Sequence, residues 1–151
     1  MLAVGSRAPE FTLPDQSGRE VSLTSLLNKG PLVLFFYPRD FTPGCTREVC
    51  MVRDLYPDLV KRGLTAAGIS PQDASSHTAF RARHNLPFTL LSDPDKTVIK
   101  MYDVNGPLGV GVRRATYLID QARNIRDAVL ADFRIERHEA FIQRAMAITR
   151  W

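Results

Sequence analysis

Cysteine is scarce in this chain: among 151 residues there are two, Cys45 and Cys50. Two thiols cannot staple a disulfide-rich fold, and without a suitably spaced histidine pair they do not make a structural zinc site. The three histidines, His77, His84 and His138, have no metal-ligand spacing, and all three are expected as surface or partly buried residues. No apolar run approaches the roughly 18 residues of a membrane span, so no membrane partner is expected. The 20 lysines and arginines leave a net charge of +4, but they are scattered and form no basic arm, so nucleic acid is not expected as a partner either. There is no phosphate-binding loop, dinucleotide fingerprint or metal motif, and no cofactor is expected. Without a repeat, a low-complexity tract or a linker, residues 1–151 read as one domain. The first ten residues lack the basic-then-apolar pattern of a secretory signal. The expected compartment is therefore the cytoplasm, a reducing one, where a close cysteine pair is more often catalytic than structural.

What is there alternates between strand and helix patterns. Residues 11–23 read as a hairpin, with Phe11, Leu13, Val21 and Leu23 on either side of the turn-rich Pro14 to Gly18. Leu32 to Tyr37 is a continuous apolar run, the pattern of a buried strand. After it, Val49, Val52, Tyr56, Leu59 and Val60 fall at helical spacing. Pro57 predicts a kink in that helix, and Gly63 its end. Residues 64–70 and 89–92 read as further strands, 73–84 and 97–102 as helices, and 115–119 with 125–130 as a second hairpin. A last helix presents His138, Phe141, Ile142, Ala145 and Ile148 on one face. The class implied is α/β, with a central mixed sheet flanked by helices and a hairpin at the N-terminus.

The chemistry concentrates between Val33 and Cys50. The strand ends in the turn Pro38-Arg39-Asp40-Phe41, and a helix starts near Thr42. Thr42 suits the N-cap and Pro43 the first helical position, which puts Cys45 in the first turn. Ligands of open α/β folds tend to bind at the C-terminal ends of strands. A helix start carries unpaired N–H groups and roughly half a positive charge, both of which favour a thiolate. Arg39 and Arg47 are near enough in sequence to add to that potential. A lone cysteine can be a small buried hydrophobe, but Pro43, Gly44 and Thr46 do not make a core pattern around it.

Pro38-x-x-x-Thr42-x-x-Cys45 resembles the active-site signature of the peroxiredoxins, the thiol peroxidases of the AhpC/TSA family. The longer Phe36-Tyr37-Pro38…Thr42-Pro43-Gly44-Cys45-Thr46…Cys50 is similar to the Q-type branch, the bacterioferritin comigratory proteins. Gly5-x-x-Ala8-Pro9-x-Phe11-x-Leu13-x-Asp15, Phe88 to Asp93 and Arg114 to Asp120 carry the likeness over nearly the whole chain. The resemblance implies a thioredoxin-like fold of the peroxiredoxin type and reduction of hydrogen peroxide and organic hydroperoxides. It implies Cys45 as the peroxidatic thiol that becomes a sulfenic acid, and Cys50 as the resolving thiol that closes an intramolecular disulfide. Arg114 would sit beside Cys45 and donate to the peroxide, although an arginine before a strand is by itself more often a solvated flank. Arg113 competes for that role, but the register of Thr116-Tyr117 in the motif favours Arg114. Thr42 would donate to the peroxide or the thiolate, where capping alone is the plainer role. Pro38 would shape the turn and shield the sulfur from water. Glu48 shares the helix and is placed to orient an arginine, yet a solvated surface residue is at least as good a reading, so it stays outside the expected site.

The reductant implied is thioredoxin or a glutaredoxin-like dithiol protein, and the assembly a monomer. A reading from another class, a non-catalytic redox sensor or holdase, uses the same two thiols. A disulfide reductase wants a two-residue cysteine spacing that is absent here. On an ideal helix, Cα atoms five residues apart lie about 8.7 Å apart, beyond the roughly 7 Å that a disulfide spans. The pair is therefore expected to bond only if the first turns of the helix unwind.

Overall fold

The strand β3, Leu32–Phe36, is buried at every position. Leu-Val-Leu-Phe-Phe has no polar side to offer water, so both of its faces must be covered. The computed structural model describes residues 1–151 and places β3 at the centre of a five-stranded sheet ordered β5-β4-β3-β6-β7. Here β4 is Thr65–Ser70, β5 Thr89–Ser92, β6 Ala115–Ile119 and β7 Ile125–Leu130. β3 runs parallel to β4, and β4 to β5; β6 is antiparallel to both β3 and β7. A separate antiparallel pair, β1 (Thr12–Pro14) and β2 (Glu20–Ser22), forms the N-terminal hairpin. This is the thioredoxin-like, mixed-sheet α/β architecture.

Strand alternation divides the core in two. Leu32, Leu34 and Phe36 face one side, with Phe11, α1 (Leu23–Leu27) and α4 (Thr97–Met101). Val33, Phe35 and Tyr37 face the other, with α2 (Pro43–Lys61), α3 (Ala74–His84) and α5 (Ile135–Met146). The site lies on this second side, where β3 runs out into α2.

Local chemistry sets the boundaries of α2. Thr42 is extended, Pro43 takes the first helical position, and Gly63 follows the last turn with φ +83°. The helix runs through Pro57. Its buried stripe is Cys45, Glu48, Val49, Val52 and Leu59, whereas Val60 is about half exposed. A stripe of period 3.6 that holds Leu59 turns its neighbour Val60 towards solvent. Two histidine expectations fail. His77 and His138 are fully buried, because each is tied by both ring nitrogens to groups on other elements. His84 is half-buried, as expected. Ile148 lies beyond the end of α5.

Gly68, in the middle of β4, lets Phe35 and Leu90 close over the sheet. A Cβ there would stand 2.8 Å from the Phe35 ring and 3.1 Å from Leu90 Cδ2. Gly68→Ala should therefore cost about 1–3 kcal/mol of stability through overpacking. Urea unfolding measures this, and a midpoint equal to the parent's would contradict the packing described.

Candidate active site

The turn after β3 is held from below. Asp40 is 4% exposed, and its carboxylate accepts hydrogen bonds from Tyr37 Oη (2.6 Å), Ser76 Oγ (2.7 Å) and His77 Nδ1 (2.7 Å). His77 Nε2 lies 3.1 Å from the Leu91 carbonyl. The Asp40 N–H donates to Gln72 Oε1, and Gln72 Nε2 reaches the Pro38 carbonyl. Burial alone would push the Asp40 carboxyl up; the bonds from His77 and Tyr37 outweigh it and hold it below the usual range. Burial, then the charge of Asp40, pushes the Tyr37 hydroxyl far up, so Tyr37 stays a donor. Phe41 follows in the left-handed region, at φ 66°, with its ring 5.0 Å from that of Phe80. A bulky residue rarely adopts that conformation, and here the anchored turn imposes it.

The turn delivers Cys45 to the first turn of α2. Its residue is fully buried, and its Sγ lies 3.4 Å from both Nη1 and Nη2 of Arg114. The sheet register brings these together. β6 pairs with β3 so that Ala115 faces Phe36, which sets Arg114 level with the end of β3. Arg114 is 6% exposed and fully engaged: Nη1 to Glu48 Oε1 at 2.7 Å, Nε to the Asp132 carbonyl at 3.1 Å, and its own N–H to Asp132 Oδ1 at 3.0 Å. Burial opposes the charge of Arg114, but the charges of Glu48 and Cys45 more than restore it, so its pKa rises. Arg113, the competing arginine, pairs with Asp132 Oδ2 and makes no bond to the sulfur. Arg39 and Arg47 are exposed, and neither is bonded to Cys45.

Thr42 does not cap α2 with its side chain; its hydroxyl donates to the Arg39 carbonyl at 2.9 Å. Pro38, Thr42, Gly44 and Arg114 line a cleft of about 760 Å³ together with Val110 and the 93%-exposed Phe133. The structure thus brings Pro38, Thr42, Cys45 and Arg114 together. Cys50 lies further along α2, half-buried, and both thiols are free. No group of three or more His, Cys, Asp or Glu side chains is spaced to hold a metal ion.

Glu48 is the residue the sequence reading left out. It is fully buried, not a solvated surface group, because it lies one turn after Cys45 on the buried stripe and meets Arg114 there. The spacing of Cys45, Glu48, Val49 and Val52 carried the signal. Burial pushes its carboxyl up to about 7, even with Arg114 pulling the other way. Gly44 has a reason as well: a Cβ there would come within 3.1 Å of Arg114 Nη2.

Residues 4–128 match the AhpC/TSA family. The chain is 41% identical over 145 residues to the putative peroxiredoxin bcp of Coxiella burnetii, covering 92% of this chain and 95% of that one. It is 44% identical over 138 residues to the chloroplastic peroxiredoxin Q of Suaeda salsa, covering 91% of this chain and 64% of that relative's length. Among solved structures, peroxidoxin BcpB from Mycobacterium tuberculosis superposes with a TM-score of 0.92 at 34% identity, over 100% of both chains. A peroxiredoxin Q of Xanthomonas campestris gives 0.82 at 27%, over 90% of this chain and 89% of that one.

Removing one partner of a buried ion pair leaves the other unpaired. Above the Glu48 titration near 7, where that carboxylate is charged, Arg114→Ala should destabilise the fold by about 3–5 kcal/mol, with Arg114→Lys losing less because one cation is kept. Thermal or denaturant unfolding of the two variants tests this; equal stability of Arg114→Ala and the parent would mean that the pair contributes nothing.

Proposed function

This chain belongs to the AhpC/TSA family and is a peroxiredoxin, a thiol peroxidase, and from that premise we propose that Cys45 is its peroxidatic thiol and Cys50 its resolving thiol. The observation that carries the proposal is the pair of Arg114 N–H groups on the sulfur of a cysteine in the first turn of a helix. Two fixed N–H donors and a helix start face the sulfur, and they remain in place as charge moves onto the peroxide.

The thiolate attacks one peroxide oxygen, the O–O bond breaks, and the products are a sulfenic acid on Cys45 and an alkoxide or hydroxide that takes up a proton. Arg114 donates to the reacting oxygens. Thr42 already donates its only hydroxyl hydrogen to Arg39, so its lone pairs are free to accept the O–H of the hydroperoxide and orient it. Pro38, which lines the cleft, has the role of shielding the sulfur from water in this reading. Hydrogen peroxide and organic hydroperoxides are the substrates of this reading.

Cys50 then attacks the sulfenic sulfur, forming a disulfide and releasing water. With α2 intact across both residues, their Cα atoms lie about 8.7 Å apart by helical geometry. The first turns must therefore open for each closure. The anchored Asp40 supports a hinge at the start of the helix, with the strand end held while residues beyond it unwind. Thioredoxin or a glutaredoxin-like dithiol protein returns both thiols by exchange. No helix is long and apolar enough to cross a membrane; we place the reaction in the cytoplasm and in the monomer.

Peroxide consumption with thioredoxin and its reductase tests the assignment. Cys45→Ser should fall to background, since a hydroxyl is hardly ionised near neutrality. Cys50→Ser should form the sulfenic acid at near the parent rate, stall without an added small thiol, and overoxidise more readily. A Cys50→Ser enzyme that cycles normally with thioredoxin alone would sink the resolving role. Amide exchange over residues 42–55 should be faster in the disulfide form, and equal protection in both forms would rule out the unwinding. Gly44→Ala is not a clean way to stiffen this turn, because its methyl presses on Arg114.

A further inference from the structure

The loop of residues 105–112, between α4 and β6, makes up much of the cleft lining: Gly106, Pro107, Val110 and Gly111 all face the cleft that Pro38, Thr42 and Arg114 line. Val110 is 74% exposed, and Phe133, in the β7–α5 loop, is almost wholly so. Apolar side chains gathered in a cleft and left open to solvent mark a surface that covers something apolar. The internal bonds of the loop are those of one short hairpin. Asn105 bridges Val112, the Gly106 N–H donates to the Gly111 carbonyl at 3.0 Å, and the turn between closes Gly109 on Gly106 and Val110 on Pro107. Gly109 and Gly111 sit at φ +76° and +75°, and glycine loses more freedom on ordering than any other residue.

What fixes this loop comes from outside it. Lys96, the residue before α4, is itself in the left-handed region at φ 58°. Its ammonium donates to Asn105 Oδ1 (3.3 Å), the Gly109 carbonyl (3.1 Å) and the Gly111 carbonyl (2.9 Å). An ammonium has three hydrogens, and this one loop supplies three uncharged oxygens for them. We propose that Lys96 is a positioning residue for substrate selection: its ammonium holds residues 105–112 in place as an apolar lining of the cleft, and that lining favours hydroperoxides with a bulky apolar group over hydrogen peroxide. The proposal rests on the peroxidase reading above and deepens it. Lys96 makes no bond to Cys45 or Arg114 and acts through Val110. Hydrogen peroxide is too small and polar to gain from Val110 or Phe133. An alkyl or aryl group whose peroxide end reaches Arg114 lies in the cleft and sheds apolar surface against them. A loop without its tether has to be ordered by the substrate that meets it, and that ordering is subtracted from the contact.

Single-turnover oxidation of Cys45 by cumene hydroperoxide and by hydrogen peroxide reads this out as a ratio of two rate constants in one protein. Lys96→Met keeps the stem of the side chain and removes its three donors. It should lower the cumene-to-hydrogen-peroxide ratio roughly three- to tenfold. In the steady state it should raise KM for cumene hydroperoxide with little change in kcat, the mark of lost binding and not of lost chemistry. Lys96→Arg keeps a cation with several donors and should recover part of the ratio. Lys100→Met removes the same charge from an exposed position on α4 and should leave the ratio as in the parent. Val110→Ser should lower the ratio too, and adding Lys96→Met to it should change little more, because both act through one contact. Rate constants that fall together in Lys96→Met would mean that the lysine only supports the fold around Cys45, and would overturn the proposal. So would an unchanged ratio in Lys96→Met, or full additivity with Val110→Ser. A parent protein that consumes neither peroxide would instead overturn the peroxidase reading.

Discussion

A guanidinium taken out of water must find partners for its hydrogens, and the site is built on that constraint. Arg114 satisfies it with Cys45, Glu48 and the carbonyl of Asp132, three groups from two parts of the chain. Each partner is fixed by Arg114 in return. The sulfur gains two donors, the buried carboxylate gains a counter-charge, and the segment after β7 is tied to the start of β6. Desolvating such a pair is expensive, and Coulomb attraction repays it only with good geometry. Here the geometry comes from the sheet, because the antiparallel β3–β6 register sets residue 114 opposite the end of β3.

The other side of the site is anchored differently. Asp40 gathers three side-chain donors and, through Gln72, ties the Pro38 turn to β4 and α3. Phe41 is forced into a left-handed conformation between this anchor and the helix. The stiff turn and the helix that follows it have opposite duties in the proposed cycle. The turn fixes where Cys45 stands when peroxide arrives; the helix start must let go so that Cys50 can reach. Helix ends lie at the low-stability end of a fold, so a rigid anchor upstream confines the opening to the segment that carries both thiols.

Burial is what makes both arrangements effective. Cys45, Glu48, His77 and His138 are all shielded from solvent. In that setting a hydrogen bond or a single proton changes local charge more than it would at the surface. It also explains the small residue next to the nucleophile, since Gly44 is where the guanidinium comes closest to the helix backbone.

The sequence by itself determined what depends on neighbours along the chain. The unbroken apolar run of β3, the cap pattern Thr42-Pro43 and the glycine at 63 placed a strand, a turn and a helix where they occur, with Cys45 in the first helical turn. The spacing of the two cysteines already meant that an intact helix keeps them apart. The family likeness singled out Arg114, but only the sheet register puts it, and not Arg113, on the sulfur. The burial of Glu48, His77 and His138 was likewise decided by the tertiary structure. A helical pattern gives the face a residue lies on but not what covers it, and their partners come from segments 7 to 66 residues away. Polar residues on a helix read as solvated until a distant strand supplies the group that pairs with them, and pairing across the fold is what made it possible to bury them here.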